Sequence, residues 1–195
     1  MPILETLKTG TRDAHASIER AVPLLRPGGL TLDGYRTYLG QLIGFYEPVE
    51  AALAAHDWAS AGVDFNVRRK TPLLTADLRS LGLDAAALAA LPRCVSVPAL
   101  PALPEALGCA YVFEGATRGG RVLGRIIGEA LGLTRARGCA FFLAYGDDSD
   151  AMWRTFGAAI ETSVRDDAAG ARVLAAALDT FSSLQRWIEA APRAV

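Results

Sequence analysis

Apolar residues return every three or four positions along most of the chain, and no long stretch alternates apolar with polar. That spacing lines one face of an α-helix, whereas side chains on a strand alternate at every residue. Such a chain buries its apolar surface by packing helix on helix, so an all-α fold is expected. At 195 residues, the chain can bury roughly 70% of its unfolded surface. A core can therefore form without disulfide or metal staples, and one domain over residues 1–195 is expected.

A first helix is expected from Ile3 to Ala21, stopping before Pro23, with Arg26-Pro27-Gly28-Gly29 as a loop. Thr31 reads as the N-cap of a long helix through Tyr35, Leu39, Leu42, Phe45, Val49 and Leu53, kinked at Pro48. Gly62, Pro72, Gly82, Pro92, Pro98, Pro101 and Pro104 then punctuate short pieces such as Leu73–Leu81 and Asp84–Leu91. The helical period returns from Glu105 to Leu133, and further helices are expected over Ala136–Tyr145, Ser149–Val164 and Ala168–Ala190. No internal repeat or shift in composition marks a boundary.

Charge is nearly balanced, with 20 basic and 21 acidic residues, so no sequence-wide field points to nucleic acid or an anionic membrane. The cysteines, Cys94, Cys109 and Cys139, are three and contain no C-x-x-C pair, which argues against a disulfide framework or a thiolate zinc site. The stretch Met1–Gly10 contains Glu5 and lacks the apolar core of a signal peptide, and no apolar run has membrane-span length. A cytoplasmic protein is expected. Lys8 and Lys70 are the only lysines; arginine supplies the other basic residues, a usage that with abundant alanine suggests a GC-rich bacterial source.

Two places depart from ordinary helix chemistry. His15 shares a helical stripe with Leu4, Lys8, Thr11, Ile18, Glu19 and Val22, which places it on or beside the buried face. Glu19 follows at i+4, where a carboxylate can fix the tautomer of a metal-ligating imidazole; an ordinary i,i+4 pair at the core edge is the alternative. The second place is Gly115-Ala116-Thr117-Arg118-Gly119-Gly120, followed by Gly124 and Gly128. Each glycine inside a helix is about 1 kcal/mol less favourable than alanine, so the run needs a reason. Close helix packing is one; a flat ligand lying on bare backbone is the other. No Gly-Lys-Ser/Thr follows, so a phosphate loop is excluded.

Together these motifs resemble the heme oxygenase family. Lys8, His15 and Glu19 match the spacing of its proximal helix, and Tyr111-Val112-Phe113-Glu114-Gly115-Ala116-Thr117-Arg118-Gly119-Gly120 is similar to its distal signature, especially in members associated with bacteriophytochromes. The resemblance implies an all-α fold with heme b, both cofactor and substrate, between the N-terminal helix and a kinked glycine-rich helix. His15 is then the iron ligand, Lys8 and Glu19 its neighbours, Gly115, Gly119 and Gly120 the distal wall, Arg154 (or Arg165) a propionate partner and Phe181 a pocket aromatic. It implies cleavage of heme to biliverdin, CO and ferrous iron with O2, an external electron donor such as a reductase or ferredoxin, and a bacteriophytochrome as bilin acceptor. The chain departs from the family at Ala116, where the distal aspartate stands; Thr117, Arg118, Arg121 and Tyr46 are the candidates to order distal water instead.

Heme is a large apolar disc with an anionic edge, and an axial nitrogen between two apolar walls suits it. A non-catalytic heme carrier or sensor shares these needs. A thiamin-degrading helical enzyme would use a nucleophile such as cysteine instead. A di-iron carboxylate protein is disfavoured because neither His15 nor His56 lies in Glu-x-x-His. His56, beside Asp57 and Trp58, reads as a surface residue at a helix end.

Overall fold

In the computed structural model, which describes residues 2–22, 24 and 30–190, the last long helix is the common wall of the fold. Along α9 (Asp167–Ala190), the buried Val173, Ala176, Ala177, Thr180, Phe181, Leu184 and Ile188 keep the three-to-four spacing. This stripe receives α1 (Ile3–Gly10), α2 (Arg12–Ala21), α3 (Leu32–Leu53) and α6 (Leu103–Leu131). Shorter helices α4 (Thr71–Ser80), α5 (Ala85–Ala90) and α7 (Ala140–Leu143), with α8 (Ser149–Ser163), close the remaining sides. The described residues contain no strand, and the all-α expectation holds.

Contacts Glu105–Arg172, Gly108–Ala176 and Cys109–Thr180 climb α6 and α9 in the same sense, so the two helices run parallel. Gly108 makes this possible: a Cβ there would lie 2.2 Å from the Val173 carbonyl oxygen. Backbone cannot rotate away as a side-chain tip can, so only glycine allows the crossing.

Helix α3 begins as expected, with Thr31 Oγ1 accepting the Gly34 N–H at 3.0 Å. It continues past Pro48 to Leu53. Pro48 has no N–H to give the carbonyl one turn back, and that carbonyl, of Gly44, instead accepts the Cys94 N–H at 2.9 Å. A Cβ at Gly44 would lie 2.5 Å from the Pro92 carbonyl oxygen and 2.8 Å from the Trp187 ring. The proline thus frees the hydrogen bond that fastens the 92–94 loop, and the glycine gives that loop room.

Two expected helices differ. The Ile3–Ala21 helix is divided at Thr11, whose φ of −99° and ψ of 0° are not helical. The Thr11 hydroxyl donates to the Leu7 carbonyl at 2.7 Å, a back-bond that bends helices. Gly10 lets the break sit against α9, since a Cβ there would meet Leu174 Cδ1 at 2.8 Å. The Ala136–Tyr145 helix contracts to α7, because Gly138 takes φ +83° in a tight turn closed by Thr134 and Arg137. The Asp77 carboxylate then accepts the Ala140 and Phe141 N–H groups at 2.7 and 2.8 Å. The expected loop at 26–29 lies outside the described residues. All three cysteines are free and buried. Burial pushes the thiols of Cys109 and Cys139 up to about 12 and about 11, which opposes a thiolate nucleophile at either. No helix among the described residues is long and apolar enough to cross a membrane.

Candidate functional site

The break at Thr11 places the N-terminal and glycine-rich helices against each other at one point. The Thr11 hydroxyl meets the Tyr111 phenol of α6, whose proton burial makes harder to lose. One turn beyond this junction lie His15 on α2 and Gly115 on α6. Both helices rest on α9, and Phe181 of α9 meets the His15 ring edge-on at 5.9 Å between centroids. Glu19 Oε1 lies 3.6 Å from His15 Nδ1. The carboxylate therefore faces one ring nitrogen and leaves Nε2 for another partner.

His15 was expected on or beside the buried face; its side chain is 56% exposed and its ring edges onto the buried Phe181, so it lies beside that face, whereas the stripe it was to share with Lys8 is broken. The extrapolated stripe fails because the turn at Thr11 interrupts the 100° progression. Leu7, Thr11 and Ile18 are buried, while Lys8, on the other side of the break, faces solvent and pairs with Glu5 at 3.9 Å. The structure thus joins His15, Glu19 and Phe181, and leaves Lys8 apart from them. Arg154 is exposed on α8.

The glycines of α6 divide into two sets. A Cβ at Gly120 would lie 3.2 Å from the Phe142 carbonyl oxygen, one at Gly124 3.0 Å from Leu143 Cδ2, and one at Gly128 3.0 Å from the Leu133 carbonyl oxygen. These three serve close packing. A Cβ at Gly119 would have nothing within 4 Å, and one at Gly115 only the Trp153 ring at 3.8 Å. Successive turns from Gly115 through Gly119 lead to Val122 and Ile126, which are 63% and 48% exposed. An open apolar stripe therefore runs down α6, bare of side chains at its upper end. Such a surface suits a flat apolar ligand, and His15 is an exposed imidazole with one free nitrogen; together they fit heme.

The expected distal polar groups are committed elsewhere. Tyr46 is buried and stacks on Phe113 with ring centroids 4.0 Å apart, on the packed side of α6. The Thr117 hydroxyl is buried and donates to the Glu114 carbonyl at 2.7 Å. Arg121 lies 3.8 Å from Asp147. Arg118 lies 3.5 Å from Asp150 and over the Trp153 ring at 5.9 Å, at the edge of the open stripe.

Sequence reading missed Trp153, the Thr11–Tyr111 junction and a buried ionic cluster behind Gly115. In that cluster Glu114 takes hydrogen bonds from Arg68, from Lys70 Nζ at 2.8 Å and from the Tyr145 hydroxyl at 2.7 Å. Two signals were present: Glu114 stands inside the distal motif, and Lys70 is one of two lysines in an arginine-using chain.

The heme oxygenase family model matches residues 1–190. A heme oxygenase of Xanthomonas campestris pv. campestris (strain 8004) is 33% identical over 180 residues, covering 87% of this chain and 97% of that protein. The fold is similar to that of the NO- and CO-bound heme oxygenase from Neisseria meningitidis, with a TM-score of 0.78 and 18% identity over 100% of this chain and 96% of that one. It is also similar to the heme oxygenase from Leptospira interrogans, with a TM-score of 0.77 and 17% identity over 96% and 98%. With the family model spanning nearly the whole sequence and the relative aligned along most of both chains, this protein belongs to the heme oxygenase family and is a heme-degrading oxygenase.

Proposed function

We propose that the substrate heme lies between α2 and the open stripe of α6, with His15 Nε2 as the axial ligand. The observation that carries this reading is the pairing of an exposed imidazole with bare backbone at Gly119, one and two turns past the Thr11–Tyr111 junction. Bound heme supplies the iron that activates O2 and the porphyrin edge that is oxidised. Glu19, 3.6 Å from Nδ1, favours by charge the tautomer that presents Nε2. Phe181 keeps the ring from turning. Gly115 and Gly119 let the α6 backbone approach the distal face, Gly120 holds that segment against Phe142, and Val122 and Ile126 cover the apolar rim.

Lys8 and Arg154, both exposed, are the cations we assign to the propionate edge by charge alone. With Ala116 unable to accept or donate through its side chain, backbone carbonyls and water order the distal proton donors, with Arg118 at the edge. Electrons come from an external donor, a reductase or ferredoxin, and the bilin product is suited to a bacteriophytochrome acceptor. The whole chain acts as one cytoplasmic domain.

The test is hemin titration followed by aerobic reduction in the presence of catalase, with product chromatography. A Soret band that gives way to biliverdin is expected. In His15→Ala the resonance Raman iron–histidine band should vanish and turnover collapse while the apo-protein stays folded. A persistent band would reject His15 as ligand, and a stable Soret band without bilin in the reduced wild type would reject turnover at this site.

A further inference from the structure

The side of α6 opposite the open stripe carries a polar construction that the proposed heme site does not use. Glu50, Arg68, Lys70 and Glu114 are all at least nine-tenths buried, and their formal charges cancel. Glu114 of α6 is held by Arg68 and Lys70, from the segment between α3 and α4, and by Tyr145, from the segment after α7. Arg68 also donates to the Met152 carbonyl at 3.2 Å and to Thr155 Oγ1 at 3.0 Å on α8. Lys70 Nζ donates to Tyr145 Oη at 2.7 Å and to the Arg68 carbonyl. Glu50 of α3 accepts the N–H groups of Lys70 and Thr71 and faces Arg69 Nε at 3.6 Å. A void of about 10 Å³ touches Glu50, Arg68 and Glu114. It has room for one water, with Arg68 Nε, buried and lacking a protein partner, as its donor.

This cluster joins α3, α6 and α8 at the residue immediately before Gly115. Beyond that residue α6 contains glycines at 115, 119, 120, 124 and 128 and is packed on one face but open on the other, so the helix itself is less stiff there than an alanine-rich one. We infer that Glu114 is a positioning residue: with Arg68, Lys70 and one internal water it fixes where the glycine-lined wall of α6 stands relative to α2. Packing against Phe142 and Leu143 holds the other side of α6, but nothing touches the Gly119 face itself, so the cluster adds a fixed point at the start of that wall. A buried carboxylate between two buried cations has one geometry that satisfies every donor, so it specifies position as well as adhesion. The inference rests on the proposed heme site for its functional meaning.

The test separates position from stability. Glu114→Gln leaves two buried cations facing one buried carboxylate and should lower Tm sharply. Glu114→Gln combined with Lys70→Met restores the balance, since one buried cation (Arg68) and one buried carboxylate (Glu50) then remain, and should recover most of that Tm. In the heme-free double variant, amide hydrogen exchange at residues 115–122 should still be at least about tenfold faster than in wild type. Hemin should also dissociate about tenfold faster. Tyr145→Phe, which removes one donor to Glu114 and one acceptor of Lys70 while keeping the ring, should lower Tm only modestly and speed the same amides about threefold, more than amides elsewhere in α6. Exchange is read without heme, so its result is independent of His15. Wild-type exchange at 115–122 in both the Tm-recovered double variant and Tyr145→Phe would overturn the inference. Should the double variant fail to fold, Tyr145→Phe alone decides, with wild-type exchange again overturning it.

Discussion

The two halves of α6 are built on opposite principles. From Leu103 to Glu114 the helix is clamped: Gly108 touches the backbone of α9, Cys109 and Phe113 are buried, and Glu114 closes an ionic cluster. From Gly115 to Leu131 one face packs against α7 through Gly120 and Gly124 while the other offers Gly119, Val122 and Ile126 to solvent. The same residue type is used for contrary ends. Gly108 is small so that another helix can touch it; Gly119 is small beside nothing. A glycine therefore signals function when the space a methyl would fill is open, because packing then gives no reason for its loss of helix stability.

Substitutions at these positions sharpen the contrast. The largest effect is expected from Gly108→Ala. Its methyl would sit 2.2 Å from the Val173 oxygen, so the helices must separate, at a cost of about 3 kcal/mol in urea unfolding. An unchanged midpoint would show that α6 and α9 can part freely. Next is Gly119→Leu, whose Cβ would have nothing within 4 Å and which should keep the apo fold and some hemin binding. Its side chain would occupy the distal space, so biliverdin yield should fall by about tenfold or more; normal yield would remove Gly119 from the wall.

A smaller effect of opposite sign is expected from Gly119→Ala in the apo-protein. With nothing within 4 Å to meet the methyl, helix propensity alone acts, and stability should rise by just under ~1 kcal/mol. A fall would mean that the open face is packed in solution. The smallest effect belongs to the clamped half. The Arg172 guanidinium, bonded at 2.6 and 2.8 Å, holds the Glu105 carboxyl below its usual value. A lowered folded value gives stability that is present above the unfolded pKa and lost as pH falls through the folded one. Wild type and Glu105→Gln should differ slightly in Tm at neutral pH and converge in acid; a gap that widens in acid would reverse the sign.

Much of the site was legible because it is local in sequence. His15 and Glu19 are four residues apart on one helix, and Gly115 and Gly119 likewise, so a 100° step per residue places each pair without knowledge of the fold. The expected stripe shared by Lys8 and His15 failed where that step was carried across Gly10 and Thr11. A single back-bonded threonine changes the helix direction there, and no periodicity count registers it. Likewise Ala136–Tyr145 has helical spacing, but Gly138 at positive φ overrides it.

By itself, the sequence determined the helical class and most of the long helices, since period, caps and breakers act over a few positions, and it singled out the residues proposed to meet heme. Only the tertiary structure decided which glycines face a neighbour and which face open space. It alone showed that Phe181, far along the chain, backs the His15 ring, and that Tyr46 and Thr117 turn into the core. It also brought Glu50, Arg68, Lys70, Glu114 and Tyr145 together. Their meeting depends on how four separated segments pack, and the free energy of a buried charge is set by the partners that packing supplies.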